Sequence, residues 1–135
     1  MKKISSGFWQ KIFFIGALWN ISIGLVGLLF YDFSIKLFFG AEAVTGNLLT
    51  LIFFRFFMIA VIIFGTGYWA VSRDLATNRA VIWMGLIAKL LIFFTFVYYY
   101  ALGQAGWFSV FGSSGDFVFS IFFMMFLYQT KDGIY

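Results

Sequence analysis

The sequence predicts an all-α integral membrane protein, a single domain over residues 1–135 in which four transmembrane helices form an antiparallel bundle. Two observations predict this fold. Of the 135 residues, 64% are hydrophobic and 10% are charged, whereas soluble domains carry about 25% charged residues. Four apolar runs, at about 12–31, 48–71, 80–101 and 106–128, each have the ~20 residues that a helix needs to cross a ~30 Å hydrocarbon core. They occupy nearly the whole chain and leave no room for a soluble domain.

The basic residues predict which way the spans run. Cytoplasmic loops of membrane proteins carry an excess of Lys and Arg, and Trp and Tyr are enriched at both interfaces. Both termini are therefore expected inside, and the protein is expected to be a multi-pass protein of a bacterial inner membrane. Six of the nine basic residues lie at the chain ends or in the second connection: Lys2, Lys3, Lys11, Arg73, Arg79 and Lys131.

Each connection has its own pattern. The first, "DFSIKLFFGAEAVTGN" at 32–47, predicts a short helix lying at the membrane interface. The second, "SRDLATNR" at 72–79, predicts a tight polar turn. The third, "ALGQAG" at 101–106, carries no charge and predicts a compact hairpin between the last two spans. The tail from Thr130 is expected to fray.

Composition excludes several kinds of chemistry. The chain has no Cys and no His, so disulfides, thiol redox sites, the usual zinc and copper sites and Ser-His or Cys-His catalysis are excluded. "GSSGD" at 112–116 resembles the nucleophile elbow G-x-S-x-G but ends in Asp. A dyad of Lys89 with Ser113 or Ser120 is the one enzymatic arrangement left. We predict no catalytic residue, no metal and no cofactor.

One strongly polar residue lies inside each span. Asn20 and Lys89 lie mid-span in the first and third, Asp116 lies near the middle of the fourth, and Arg55 lies nearer the outer face of the second. A charge at the centre of a spanning helix costs roughly 2.5–3.5 kcal/mol on insertion scales, so such residues face the interior and find partners there. Because a short hairpin joins the third and fourth spans, we expect Lys89 to pair with Asp116.

The neighbours of these residues support a polar cluster in the interior. Arg55 could reach the same acid, or point outward toward Asp32 or Glu42. Two cations against one acid would favour an anionic ligand. At helical spacing, serines share the face of Asp116 and small residues share the face of Asn20, which permits close helix packing. These are Ser109, Ser113 and Ser120 on the fourth span, and Gly16, Ala17, Gly24 and Gly27 on the first.

A resemblance adds to this prediction. The stretch "FRFFMIAVIIFGTGYWAVSRDLATNRAVIWMGLIAKLLIFF" at 54–94 is similar to small four-span bacterial membrane proteins. In these an Arg in the second helix, a polar turn and a Lys in the third recur, followed by an Asp in the fourth. Arg55, Lys89 and Asp116 stand at those positions. The layout also resembles that of DoxX-like proteins. The resemblance implies the fold and the membrane location, and no established activity.

The interior cluster of Asn20, Arg55, Lys89, Ser113, Asp116 and Ser120 is the predicted site. It could fix the register of the helices, hold a small ligand, a lipid headgroup or an ion, or exchange protons between its acid and its base. We predict a binding or accessory membrane protein, with a small transporter or channel as the alternative and a lipid-modifying enzyme as the second alternative. The expected partners are membrane lipids and a homo-oligomer or larger membrane complex, with no nucleic acid.

Overall fold

The computed structural model describes residues 4–41, 43 and 46–132, and this part of the chain forms five helices and no strand. The helices are α1 (Ser6–Leu29), α2 (Tyr31–Phe39), α3 (Leu48–Arg73), α4 (Arg79–Ala101) and α5 (Trp107–Gln129). All except α2 are long and apolar enough to cross a membrane. The predicted all-helical chain with four candidate spans is confirmed. Which side the termini face stays a prediction, and Lys2, Lys3 and Glu42 lie outside the described residues.

Side-chain caps mark the starts of α1 and α3. The first helix begins at Ser6 rather than near residue 12, because the Ser5 side chain accepts a hydrogen bond from the Phe8 amide (3.4 Å). In the same way the Asn47 side chain accepts from the amides of Leu49 (2.9 Å) and Thr50 (3.2 Å) at the start of α3. Such caps supply partners for amides that have none inside the helix. The apolar pattern therefore predicts the start of the membrane-crossing stretch, whereas the cap marks the first residue of the helix.

The short helix α2 follows α1 directly, as the first connection predicted. It ends at Gly40, whose φ of 99° is a conformation that favours glycine. The Gly106 amide donates to the Phe38 carbonyl (3.2 Å), which ties the end of α2 to the start of α5. The Phe38 ring stacks on Phe96 of α4 with centroids 5.7 Å apart. The third connection turns through Gly103, at a φ of 70°, as a compact link.

Helices α1 and α3 approach each other closely because glycines line their contact. A Cβ at Gly24 would lie 2.9 Å from the carbonyl oxygen of Met58, and one at Gly65 would lie 3.2 Å from the carbonyl oxygen of Ala17. Backbone atoms cannot move aside for a side chain, so both positions need glycine. Gly16 differs from the prediction, because it faces the Phe119 ring of α5 at an ordinary 3.4 Å.

The two ends of the protein pack differently. What we call the closed half comprises 6–17 of α1, 64–73 of α3, 79–88 of α4 and 119–129 of α5, and most of the buried core lies there. The open half comprises 20–29 of α1, all of α2, 48–61 of α3, 91–101 of α4 and 107–116 of α5. Its buried core is a small cluster of Ile35, Phe54 and Met58.

Candidate functional site

Three of the predicted polar residues meet at the boundary between the halves. The Lys89 ammonium of α4 donates to Asp116 Oδ1 of α5 (2.5 Å) and to Asn20 Oδ1 of α1 (2.9 Å). The Asn20 side-chain amide donates in turn to the Val61 carbonyl of α3 (3.4 Å). Each of the four long helices therefore contributes one polar group to a single chain of hydrogen bonds. The predicted pairing of Lys89 with Asp116 is confirmed.

The ammonium is the most enclosed part of this cluster. The Lys89 side chain is 3% exposed, whereas that of Asp116 is 17% exposed. The rings of Tyr68 and Phe119 lie 5.3 and 5.5 Å from Lys89 Nζ, distances at which a ring face attracts a cation. The charge is thus balanced by one carboxylate, one amide oxygen and two rings.

Small residues around the cluster allow this arrangement. Gly85 lies one turn before Lys89, and the Tyr68 side chain fills the space that a larger residue there would take. Close packing at Gly24 brings α1 near enough to α3 for the Asn20 amide to reach a carbonyl. The glycines that the sequence places on these faces are what brings the polar atoms together.

A cavity of about 350 Å³ extends from the cluster into the open half. Asn20, Lys89 and Asp116 form one wall together with Ser113, and the rest of the lining is almost entirely apolar. The apolar wall contains several aromatic rings: Phe38, Phe39, Phe54, Phe57, Phe64, Tyr68 and Phe96. The volume falls within the ~300–1,000 Å³ that is typical of ligand pockets.

Exposed lining residues on α3 and α4 indicate that the cavity opens sideways, between these two helices. These helices touch in the closed half, where Tyr68 lies against Gly85. Farther along, Phe57 of α3 and Leu91 of α4 both line the cavity, yet they are 39% and 63% exposed on the outer surface. In a membrane-spanning protein that surface faces lipid, so the cavity is accessible to molecules dissolved in the bilayer.

A second cavity, of about 480 Å³, lies between α1, α2 and α5. Among the described residues it has no charged side chain in its lining, and its polar side chains are those of Trp19, Ser22, Ser34 and Ser114. Of these two cavities, the first combines an apolar volume with charged side chains.

Of the three remaining predicted residues, two lie near the cluster and one lies away from it. Ser113 lines the cavity, and its hydroxyl donates to the Val110 carbonyl (3.2 Å). Ser120 is fully buried and donates to the carbonyl oxygen of Asp116 (2.8 Å). Arg55 is exposed on α3, outside the cavity lining, and within the described residues it forms no ion pair.

The position of Arg55 changes the charge of the cluster. One cation, Lys89, faces one acid, Asp116, so the expected excess of positive charge is absent among the described lining residues. Tyr68 is a member of the site that sequence reasoning missed. Its signal was a tyrosine inside a span, directly after Gly67.

The described residues contain no group of three or more acidic side chains that could hold a metal ion. The chemistry available to the site is hydrogen bonding, ion pairing and apolar contact. Comparison with protein-family models, with curated proteins and with solved structures finds no match to this chain, so the function is inferred from the residues of the site itself.

Proposed function

We propose that this protein is a membrane-embedded binding protein that takes a small amphipathic molecule from the bilayer into its side-opening cavity. The observation that carries the proposal is the division of the cavity wall. Both charged lining side chains, Lys89 and Asp116, belong to the cluster at the boundary between the halves, whereas the exposed lining residues Phe57 and Leu91 are apolar. A molecule with an apolar body and one polar end fits such a site in one orientation.

Burial of ionised groups beside a cavity supports a binding role. An ion pair within a membrane costs free energy unless both charges have close partners. A purely structural pair would be expected inside packed side chains, but here Asp116 remains 17% exposed and borders the cavity. The pair thus offers a polar contact to whatever occupies the volume.

Packing in the closed half favours binding over conduction. Beyond the cluster, the rings of Phe13 and Phe123 lie 5.0 Å apart and those of Trp9 and Phe126 lie 5.4 Å apart, and all four side chains are fully buried. A channel would need a wet path past the cluster, and large interlocked rings block that path.

Hydrogen bonding favours binding over catalysis. The hydroxyls of Ser113 and Ser120 both donate to backbone carbonyls of their own helix. A nucleophilic serine needs a base that takes its proton, and neither hydroxyl is hydrogen-bonded to Lys89. The inner wall holds a ligand without activating a nucleophile.

The test is whether a molecule stays in the cavity during purification. The protein, purified from membranes in mild detergent, is extracted with organic solvent, and the bound small molecules are identified by mass spectrometry. We expect one class of amphipathic molecule, in an amount about equimolar with the protein. Ala88→Phe, which fills the cavity from its half-buried lining position, should remove it.

Ala80→Phe is the matched control, because it adds the same ring to an exposed position of α4 outside the cavity. The control should retain the molecule. Lipids bound to the outer surface should be retained by all three proteins. Equal retention of every extracted species in both variants would contradict the proposal.

A further inference from the structure

We infer that the polar end of the ligand is a neutral hydroxyl, which donates its hydrogen bond to Oδ2 of Asp116. This inference rests on the proposed binding function and adds the chemical class of the ligand: a membrane-soluble alcohol. It follows from counting which donors and acceptors of the cluster are already used.

The Lys89 ammonium has no donor left for a ligand. A Lys ammonium has three N–H donors and no acceptor. Two of those of Lys89 go to Asn20 and Asp116, and the rings of Tyr68 and Phe119 cover the remaining side. With its side chain only 3% exposed, the ammonium has no face left for a ligand.

The other polar side chains of the cavity wall are hydrogen-bonded or largely buried. The Asn20 amide oxygen accepts from Lys89, one of its two N–H groups donates to Val61, and the residue is 7% exposed. The Ser113 hydroxyl donates its hydrogen bond to the Val110 carbonyl. Tyr68 is 1% exposed, with its hydroxyl against Gly85.

Acceptors, in contrast, are free. Asp116 uses Oδ1 for Lys89, and no described residue donates to its Oδ2. The side chain is 17% exposed and lines the cavity, so this oxygen is open to a ligand. The lone pairs of the Ser113 hydroxyl oxygen lie on the same wall. A ligand that carries a hydrogen-bond donor is therefore complementary to this site.

Charge selects a neutral donor. A protonated amine at Oδ2 would come close to the Lys89 ammonium, which lies 2.5 Å from the other oxygen of the same carboxylate. An anion would meet the carboxylate itself and could not donate. In a medium of low dielectric constant, an additional charge beside a balanced pair is strongly disfavoured. A hydroxyl donates without bringing a charge.

Photolabelling can test this with probes of one size. The protein in nanodiscs is irradiated with octanol that carries a diazirine on its chain, or with the methyl ether of the same probe. Labelled residues are mapped by mass spectrometry. Labelling at the half-buried cavity residues Val61 and Ile92 is divided by labelling at Ile63, which is exposed and outside the lining. This ratio corrects for partitioning of the probes into lipid.

We expect the corrected cavity labelling by the alcohol to exceed that by the ether about tenfold, as for one hydrogen bond to a charged group. The double variant Lys89→Met/Asp116→Leu keeps an apolar wall without an unpaired charge, and it should label equally with both probes. Equal labelling by both probes in the wild-type cavity would overturn the hydroxyl assignment alone. Failure of both probes to label the cavity would overturn the binding function as well.

Discussion

The closed and open halves share the same four long apolar helices, yet they pack differently. In the closed half, large rings from three helices interlock: Phe123 lies 5.0 Å from Phe13 and 5.1 Å from Tyr68, centroid to centroid. In the open half, comparable rings point outward, and Phe53 and Phe111 are each 63% exposed. Cavities occupy the space between the helices there.

The difference shows that packing, rather than hydropathy, separates a structural region from a site. Rings that interlock exclude both water and ligand. Where helices α3 and α4 lose contact, the same kind of residue lines an accessible volume. The polar cluster lies where one pattern changes into the other. Lys89 contacts the closed-half rings of Tyr68 and Phe119, whereas its hydrogen-bond partners Asn20 and Asp116 belong to the open half and line its cavity. Four predictions test this difference between the two halves.

The largest effect is expected from removing one charge at the boundary. Lys89→Met strands the Asp116 carboxylate, and Asp116→Asn leaves the ammonium without its ion-pair partner. Each should lower the free energy of unfolding by about 3 kcal/mol. The double variant should lose less than the sum of the two. Unfolding in mixed micelles or bicelles measures all three in one double-mutant cycle.

Lys131→Met is the control for loss of a lysine charge, because Lys131 is exposed and at the end of the chain. Coupling within membranes averages below about 1 kcal/mol in some proteins, so replicate measurements must resolve that difference. Strict additivity of the two single changes would show that the ion pair contributes nothing to folding.

Next in size is the glycine contact that holds α1 against α3. Gly24→Ala places a Cβ 2.9 Å from the Met58 carbonyl oxygen, which should cost about 1–3 kcal/mol, and Gly24→Leu should prevent assembly. Gly16→Ala should be nearly neutral because its neighbour is a ring at 3.4 Å. Thermal unfolding in detergent ranks the variants.

Gly7→Ala is the matched control for this series, since nothing lies within 4 Å of its added Cβ. Alanine is the better helix former by about 0.5–1 kcal/mol, so this variant should be slightly stabilised. A melting temperature for Gly24→Ala equal to that for Gly16→Ala would mean that α1 and α3 are not in close contact.

A smaller effect is expected at the far end of the closed half. Arg79 begins α4, and its guanidinium donates to the carbonyl (2.9 Å) and hydroxyl (2.5 Å) of Thr130 and to the Leu127 carbonyl (3.5 Å). It thereby supplies partners and a positive charge to the C-terminus of α5. Arg79→Met should cost about 1–2 kcal/mol.

Amide exchange at residues 127–130 is the local measurement for this variant and should become faster. Arg73→Met is the comparison, because Arg73 is exposed and makes no hydrogen bond within the described residues. Equal exchange in both variants would show that Arg79 acts only through its charge at the membrane surface.

Sequence reasoning reached the pairing of Lys89 and Asp116 because it depends on connectivity. Two helices joined by a short link must run side by side, so residues at similar depth can meet. The exposure of Arg55 depends on the rotation of α3 about its axis. That rotation is set by the contact of Gly65 with α1, which no pattern within α3 alone reveals.

The cavity was beyond reach from sequence for a related reason. Its presence depends on how far α3 and α4 separate beyond the contact of Tyr68 with Gly85, and on where α2 lies. The sequence predicts α2 as a helix, but its packing against Phe96 arises from tertiary contacts. The contact of Arg79 with the C-terminus of α5 was likewise not predictable. A basic residue after a span is expected both from the positive charge of cytoplasmic loops and from contact with a helix C-terminus, and the sequence does not distinguish the two.

The smallest effect concerns the turn that joins α3 to α4. Hydrogen bonds from Thr77 and from the Ala76 amide (2.9 Å) hold the pKa of the exposed Asp74 carboxyl below its usual value. A lowered pKa in the folded state means that this carboxylate stabilises the fold above the pKa of the unfolded chain, about 3.9. That contribution is lost as the pH falls through the folded-state value. Between pH 6 and pH 3 the melting temperature should therefore fall slightly more for the wild type than for Asp74→Ala. Parallel curves for the two proteins would show that the turn, unlike the cluster at the boundary, folds without help from its charge.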